Sequence, residues 1–242
     1  MKPSSATEII HPPGIKVANH AAGNILLSAC KTKLLMILDD RAPFWTLAAS
    51  GNVDTDNPGI EDFLKTLRSE AREEICTDKI TDPDYVGSSW ALFPPPKQDG
   101  DKDGYNHERV YVSSLQPGAP DPVLGEDGAG LAWVPLDNLP ANVVPRVRTR
   151  IEAYLSGPAS GGAPFNLKMD SLGEGRKGFS PMLFKMNREQ IFGWDMWINH
   201  PRVQQKLLNH KCFEPFNEAI NEVTNWANPA LAAQAAQCQM RA

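Results

Sequence analysis

The stretch Glu61–Cys76, EDFLKTLRSEAREEIC, decides how the rest of the chain is read. At about 100° per residue, Ile60, Phe63, Leu64, Leu67, Ala71 and Ile75 fall on one narrow stripe. That stripe is the buried side of an amphipathic helix. Glu70, Glu73 and Glu74 flank it at i, i+3 and i+4, close enough to repel one another. In a purely structural helix such a cluster gains nothing unless a cation is bound. Oxygen-only ligands favour a hard ion, Mg²⁺ or Mn²⁺, over zinc. An isolated acidic helix face is more often solvated than liganded, so the flanking sequence carries the weight.

Working outward, residues 21–30 and 33–40 read as two apolar strands, followed by FWTLAASGNV at 44–53. The helix is expected over about Gly59–Cys76, with Asp56 or Asn57 as N-cap and Pro58 near its first turn. Downstream, VGSSWALFPPP (86–96) reads as a strand stopped by prolines, and KQDGDKDGYN (97–106) as a hairpin loop. HERVYVSSL (107–115) alternates as a strand, with His107 and Glu108 expected at its exposed start. NVVPRVRTRIEAYL (142–155) closes this part of the chain as an amphipathic helix.

This order, together with the acidic helix, resembles the Nudix hydrolase family. Glu61 matches the first glutamate of the family's box, and SEAREEICT (69–77) matches its core, with Glu70, Glu73 and Glu74 on the three core glutamates. Trp45 and Leu47 match the segment ahead of the helix, and Trp133, Val134, Leu136, Asp137, Leu139 and Pro140 match the family's later Trp strand and Leu-Pro turn. Several positions depart. Ser69 replaces the box arginine and Cys76 the helical glycine. Ala48, Ala49 and Ser50 replace Pro-Gly-Gly. Gly51 fills the opening-glycine position only if the following loop carries extra residues.

The resemblance implies an α/β (α+β) fold, a Nudix-like α/β/α sandwich with a mixed sheet. It covers roughly residues 21–155, between an N-terminal arm (1–20) and a linker (156–164). Residues 165–242 match nothing named and read as a mainly helical extension. The implied activity is divalent-metal-dependent hydrolysis of a nucleoside diphosphate linked to another moiety. The alternative is a weakened nucleotide-binding or regulatory module that docks a protein partner through 165–242. Mg²⁺ or Mn²⁺ is the implied cofactor, held by Glu70, Glu73, Glu74 and a backbone carbonyl at Ser50. Glu126 is expected as a further catalytic carboxylate, with Asp127 second. Phe44, Trp90, Phe93 and Tyr105 are candidates to clamp the substrate base. A homodimer is a mild expectation from the resemblance.

Composition sets outer bounds. The chain has 242 residues and a net charge of −5, with no basic block, which argues against a general nucleic-acid binder. The four cysteines are scattered without C-x-x-C spacing, so reduced thiols and a cytoplasmic setting are expected. Neither a signal peptide nor a membrane-spanning run is expected. His11 and His20 read as solvated or lightly packed.

Overall fold

The structure is a computed structural model that describes residues 11–92, 104–169, 186 and 188–208. Its frame is one eight-stranded mixed sheet. Strand β1 (Val17–Leu27) lies parallel to β6 (Tyr105–Ser114), and β6 is antiparallel to β5 (Asp84–Leu92). On the other side β1 meets β2 (Lys33–Leu38), which pairs antiparallel with both β3 (Trp45–Leu47) and β7 (Gly130–Pro135). The short β4 (Gly51–Asn52) adds to β1 opposite Ala21 and Ala22.

Period-two alternation sorts the side chains into two layers. Leu34, Met36 and Leu38 of β2 join Ile25, Val86 and Val110 in a core closed by α2 (Pro145–Ser156) through Val147, Ile151 and Tyr154. Leu35 and Ile37 point the other way, to Ala71 and Ile75 of α1 (Ile60–Ile75). A second group on the α1 side gathers Ala22, Val53, Phe63, Leu67 and Tyr111. The sheet is therefore packed between α1 and α2, the α/β/α sandwich expected. No helix among the described residues is long and apolar enough to cross a membrane.

The helix bounds differ slightly from expectation. Gly59 is the N-cap rather than Asp56 or Asn57, and its N–H donates to Asp62 Oδ2 at 2.8 Å. At the other end Cys76, at φ 55°, is a left-handed C-cap whose N–H returns to the carbonyl of Ala71. This is the position where the family resemblance calls for glycine, and the left-handed turn supplies the reason.

Residues after the linker-like segment also meet the sheet. Strand β8 (Phe165–Met169) runs parallel to β5. Gly87 makes room for it, since a Cβ there would lie 2.4 Å from Cδ2 of Phe165. Helices α3 (Trp194–Ile198) and α4 (Pro201–Leu208) follow. Trp194, Trp197, Ile198 and Val203 belong to the α2-side core. The Trp45 and Asn142 side chains both donate to the carbonyl of Phe192, at 2.9 and 3.0 Å, and Trp197 Nε1 donates to that of Asp39 at 2.9 Å. Residues 170–185, 187 and 209–242 of the expected helical extension, Phe93 and most of the 97–106 loop lie outside the described residues.

One buried ion pair ties α2 to the sheet. Arg150 Nη2 lies 2.9 Å from Glu108 Oε2, with the two side chains 1% and 10% exposed. Arg150 Nε donates to Ser89 Oγ at 2.8 Å. Glu108 is thus not at an exposed strand start: β6 is flanked by β1 and β5 along its length, and its carboxylate packs where a Cβ on Gly23 would sit. Arg150→Ala is expected to cost about 3–5 kcal/mol in chemical denaturation, because it strands a buried carboxylate. Arg68→Ala, which breaks an exposed pair with Asp82, is expected to cost under about 1 kcal/mol. Cys76→Gly should raise stability by about 1 kcal/mol by relieving the left-handed backbone of an exposed residue.

Candidate active site

The three glutamates of α1 have three different environments. Glu74 is buried, Glu70 half-buried and Glu73 exposed. The difference follows from helix geometry, since Glu74 lies nearest the Ala71–Ile75 stripe that faces the sheet. Glu74 Oε2 accepts the backbone N–H of Ala49 at 2.6 Å, and the N–H of Ser50 also supports it. Ala49 holds a left-handed conformation, φ 56°. The sharp bend that the family builds with glycine is thus kept by an alanine, whose methyl group is fully buried against α1. Ser50 Oγ accepts the N–H of Asn24 at 2.9 Å and fixes the bend to β1.

Glu70 packs directly on β4. A Cβ on Gly51 would lie 1.8 Å from Glu70 Oε1, so glycine at 51 is what admits the carboxylate. Glu73 Oε1 accepts from Ser69 Oγ at 2.9 Å. Ser69 therefore makes the contact available to the residue one turn earlier, in place of the arginine the resemblance calls for.

The electrostatics follow from burial. Glu74 is pushed up to about 8, first by desolvation and then by the charge on Glu70, and the Ala49 and Ser50 amides only partly oppose this. Glu70 is raised to about 7 by desolvation, then by Glu73, Asp127 and Asp54. No ion pair among the described residues engages Glu70, Glu73 or Glu74. Two desolvated, mutually repelling carboxylates without a cationic side chain form an oxygen donor set suited to a hard divalent ion, so Mg²⁺ or Mn²⁺ fits the chemistry of these residues. No group of three carboxylate, imidazole or thiol side chains among the described residues is placed to hold a metal ion as the chain stands. Glu73, turned to Ser69, is the least engaged of the three acids.

The loop bearing Glu126 and Asp127 is pinned to the end of α1. The N–H of Gly125 donates to the carbonyl of Glu74 at 2.8 Å and that of Glu126 to the carbonyl of Glu73 at 3.0 Å. A Cβ on Gly125 would lie 1.7 Å from the latter carbonyl, so the approach needs glycine. Both acidic side chains are exposed. The charge of Asp127 reaches Glu70 and Glu74, and its carboxylate lies 3.9 Å from Arg202 of α4.

The aromatic clamp expected from the sequence is placed differently. Phe44 and Trp90 are each 2% exposed. Phe44 belongs to the α2-side core, and Trp90 stacks on His107 at 5.2 Å. Neither presents a ring to a substrate, because both lie where the sheet is covered. Tyr105 is half-buried, with Lys168 Nζ 5.4 Å from its ring. The cleft that sequence reasoning missed lies beside the 122–127 loop, lined by Pro122, Leu124, Leu35, Trp133, Met196 and His200. Trp133 was visible as part of the Trp strand, but not its exposure to a cleft formed by α3 and α4, which are remote in sequence.

No family model and no curated protein matches the chain. Among solved structures it is similar to a Nudix hydrolase from Nitrosomonas europaea, at 13% identity over 64% of this chain and 81% of that one, with a TM-score of 0.46. It is similar to a MutT Nudix hydrolase from Burkholderia pseudomallei, at 21% identity over 56% and 96% of the two chains and a TM-score of 0.38. It is also similar to a C. elegans Ap4A hydrolase, at 12% identity over 59% and 98% and a TM-score of 0.44. In its own sheet order, its two helical layers and its E-x-x-E-E helix set against the β3–β4 bend, the chain has a Nudix-like fold.

Proposed function

We propose that the chain is a divalent-metal-dependent hydrolase that cleaves the pyrophosphate bond of a nucleoside diphosphate linked to another moiety. The observation that carries this reading is the pair Glu70 and Glu74, packed against the β3–β4 bend, desolvated, repelling and, among the described residues, without an ion-pair partner. Such a pair costs stability in the free protein and is accounted for by an ion that arrives with substrate. Glu70, Glu73 and Glu74 would hold Mg²⁺ or Mn²⁺. When bound, that ion neutralises pyrophosphate charge and lowers the pKa of its water.

The chain's own residues supply the rest. The Ala49 and Ser50 amides orient Glu74. Glu70, packed on β4 beside Glu74, is one candidate to accept the proton of the attacking water. Glu126 and Asp127 stand on a loop anchored to the same helix end and offer a second acceptor. The cleft lined by Trp133, Leu35 and Met196 offers an apolar seat for a base beside that loop.

The binding-module reading draws on Glu73, which is exposed and hydrogen-bonded to Ser69 rather than turned to the other two acids. Under that reading a nucleotide is held without being cut.

Two measurements separate these readings. The first is melting temperature against pH. Glu70 and Glu74 have folded pKa values above their unfolded ones, so between about pH 4.5 and 8 the folded state binds more protons and stability falls as pH rises. Metal-free protein should melt lower at pH 8 than at pH 5. Mn²⁺ should restore the loss in wild type and leave Glu73→Gln/Glu74→Gln unchanged; equal melting of wild type and variant with and without Mn²⁺ would mark the acids as a solvated face. The second is phosphate-coupled turnover with Mg²⁺ or Mn²⁺ on nucleoside triphosphates, ADP-ribose, NAD, diadenosine polyphosphates, nucleotide sugars and capped RNA. The double variant should lose more than the roughly 10–100-fold that removal of an outer-shell partner costs. No turnover by folded wild type on any substrate would favour the binding module.

A further inference from the structure

A second cluster of ligating side chains lies on the α1 side of the sheet, at the opposite end of α1 from Glu74. His20 of β1, His107 of β6 and His11 ahead of β1 bring three imidazoles together. Ring centroids are 5.2 Å apart for His20–His107, 5.1 Å for His11–His107 and 6.0 Å for His11–His20. In a tetrahedral tris-imidazole site with metal–nitrogen bonds of about 2.0–2.1 Å, ligating nitrogens stand roughly 3.3 Å apart and ring centroids about 5 Å apart. The three centroid separations, and the 3.0 Å between His20 Nδ1 and His107 Nδ1, agree with these spacings to within about an ångström.

All three Nδ1 atoms are engaged by protons within the cluster. His20 Nδ1 and His107 Nδ1 share one across 3.0 Å. Trp90 Nε1–H donates to His11 Nδ1 at 3.2 Å. These are the lone pairs a cation would take. His107 Nε2 lies 3.4 Å from Ser88 Oγ, so ligation through Nδ1 would leave Nε2–H facing an outer-shell acceptor. No proton need leave the protein, because the shared proton moves to a ring's other nitrogen.

Burial fits this role. His107 is fully buried and His20 is 8% exposed, which corrects the expectation of a solvated or lightly packed His20 and of an exposed His107, while His11 is exposed. Burial first, then the neighbouring His20, His11 and Arg109, lower His107 to about 3, so it is neutral at pH 7. The Arg109 guanidinium, which acts on it, lies over the Tyr85 ring at 4.3 Å. His11 and His20 line an open cleft together with Asp56, Asn57, Val17 and Ile60, which gives an ion a path in and a carboxylate and an amide near the opening.

We propose that His11, His20 and His107 form a binding site for a nitrogen-preferring first-row transition ion such as Zn²⁺, separate from the glutamate site. The His20–His107 pair is the preformed half, and His11 completes it as Trp90 releases its Nδ1. As the chain stands, no group of three such side chains among the described residues is placed to hold a metal ion, so binding requires His11 to move toward the His20–His107 pair. Nitrogen donors select Zn²⁺, Co²⁺, Ni²⁺ or Cu²⁺ and discriminate against the Mg²⁺ that suits Glu70 and Glu74.

The test uses full-length protein carrying Glu73→Gln/Glu74→Gln, which removes the glutamate site as a competitor. Zn²⁺ is expected to bind at one per chain and raise the melting temperature, and Co²⁺ to give intense visible d–d bands of a tetrahedral nitrogen site. His11→Ala, at an exposed position that the fold does not rest on, should weaken Zn²⁺ binding at least tenfold and bleach the bands. Serine at Cys30 and Cys76, the exposed thiols, should change neither. Stoichiometric binding unaffected by His11→Ala, a thiolate-to-cobalt charge-transfer band, or no shift with either ion would each overturn the proposal.

Discussion

The contact on which the site depends is the one between the Glu74 carboxylate and the amides of the β3–β4 bend. A carboxylate buried beside a second carboxylate is unfavourable, and two backbone donors offset only part of that cost. The bend must therefore be held open toward the helix. Ala49 accepts a left-handed backbone to do so, and Ser50 Oγ fastens the bend to β1. The same end of α1 carries the carbonyls that receive Gly125 and Glu126, so the acidic loop and the bend are referenced to one helix terminus. Movement of α1 along the sheet would disturb all three at once.

Two different demands act on the backbone round the site. At Gly125 a Cβ would collide with the Glu73 carbonyl, and at Gly51 it would displace the Glu70 carboxylate. At Ala49 and Cys76 the demand is conformational. A left-handed backbone is strained for alanine or cysteine, but it is not blocked by a neighbour. That distinction cannot be read from a motif, in which both kinds appear as the letter G.

Much of the fold was legible because it rests on periodicity. The Phe63–Leu67–Ala71–Ile75 stripe gave α1 within a residue at each end, and the alternation of 107–115 gave β6. What was not legible was who stands beside whom. His107 and Glu108 open an alternating run, and a strand's first residues are ordinarily exposed. Here β1 begins at Val17 and pairs with β6 from Tyr105 onward, which covers them. Phe44 and Trp90 read as clamp residues for the same reason: aromatic side chains in loops and at strand ends are core or ligand platform according to what packs on them. In the case of Phe44 the covering atoms come in part from residues 191–203, nearly 150 positions away.

The α1 side of the sheet thus holds two clusters of opposite chemical character. Beneath the C-terminal half of the helix, oxygen donors repel and are raised toward neutrality by burial. Beneath its N-terminal half, the His107 imidazole is kept neutral by burial first and then by His20, His11 and Arg109. The intervening layer is apolar and aromatic, with Phe63, Leu67 and Tyr111 separating the two. The low polarity of that layer accounts for both shifts, since desolvation disfavours an anion at one end and a cation at the other. The layer also keeps the donor types apart. In the proposed roles a hard ion would meet oxygen at Glu70 and Glu74, and a softer ion would meet nitrogen first at His20 and His107. Selectivity at each end would then follow from donor type and from the packing between the two ends.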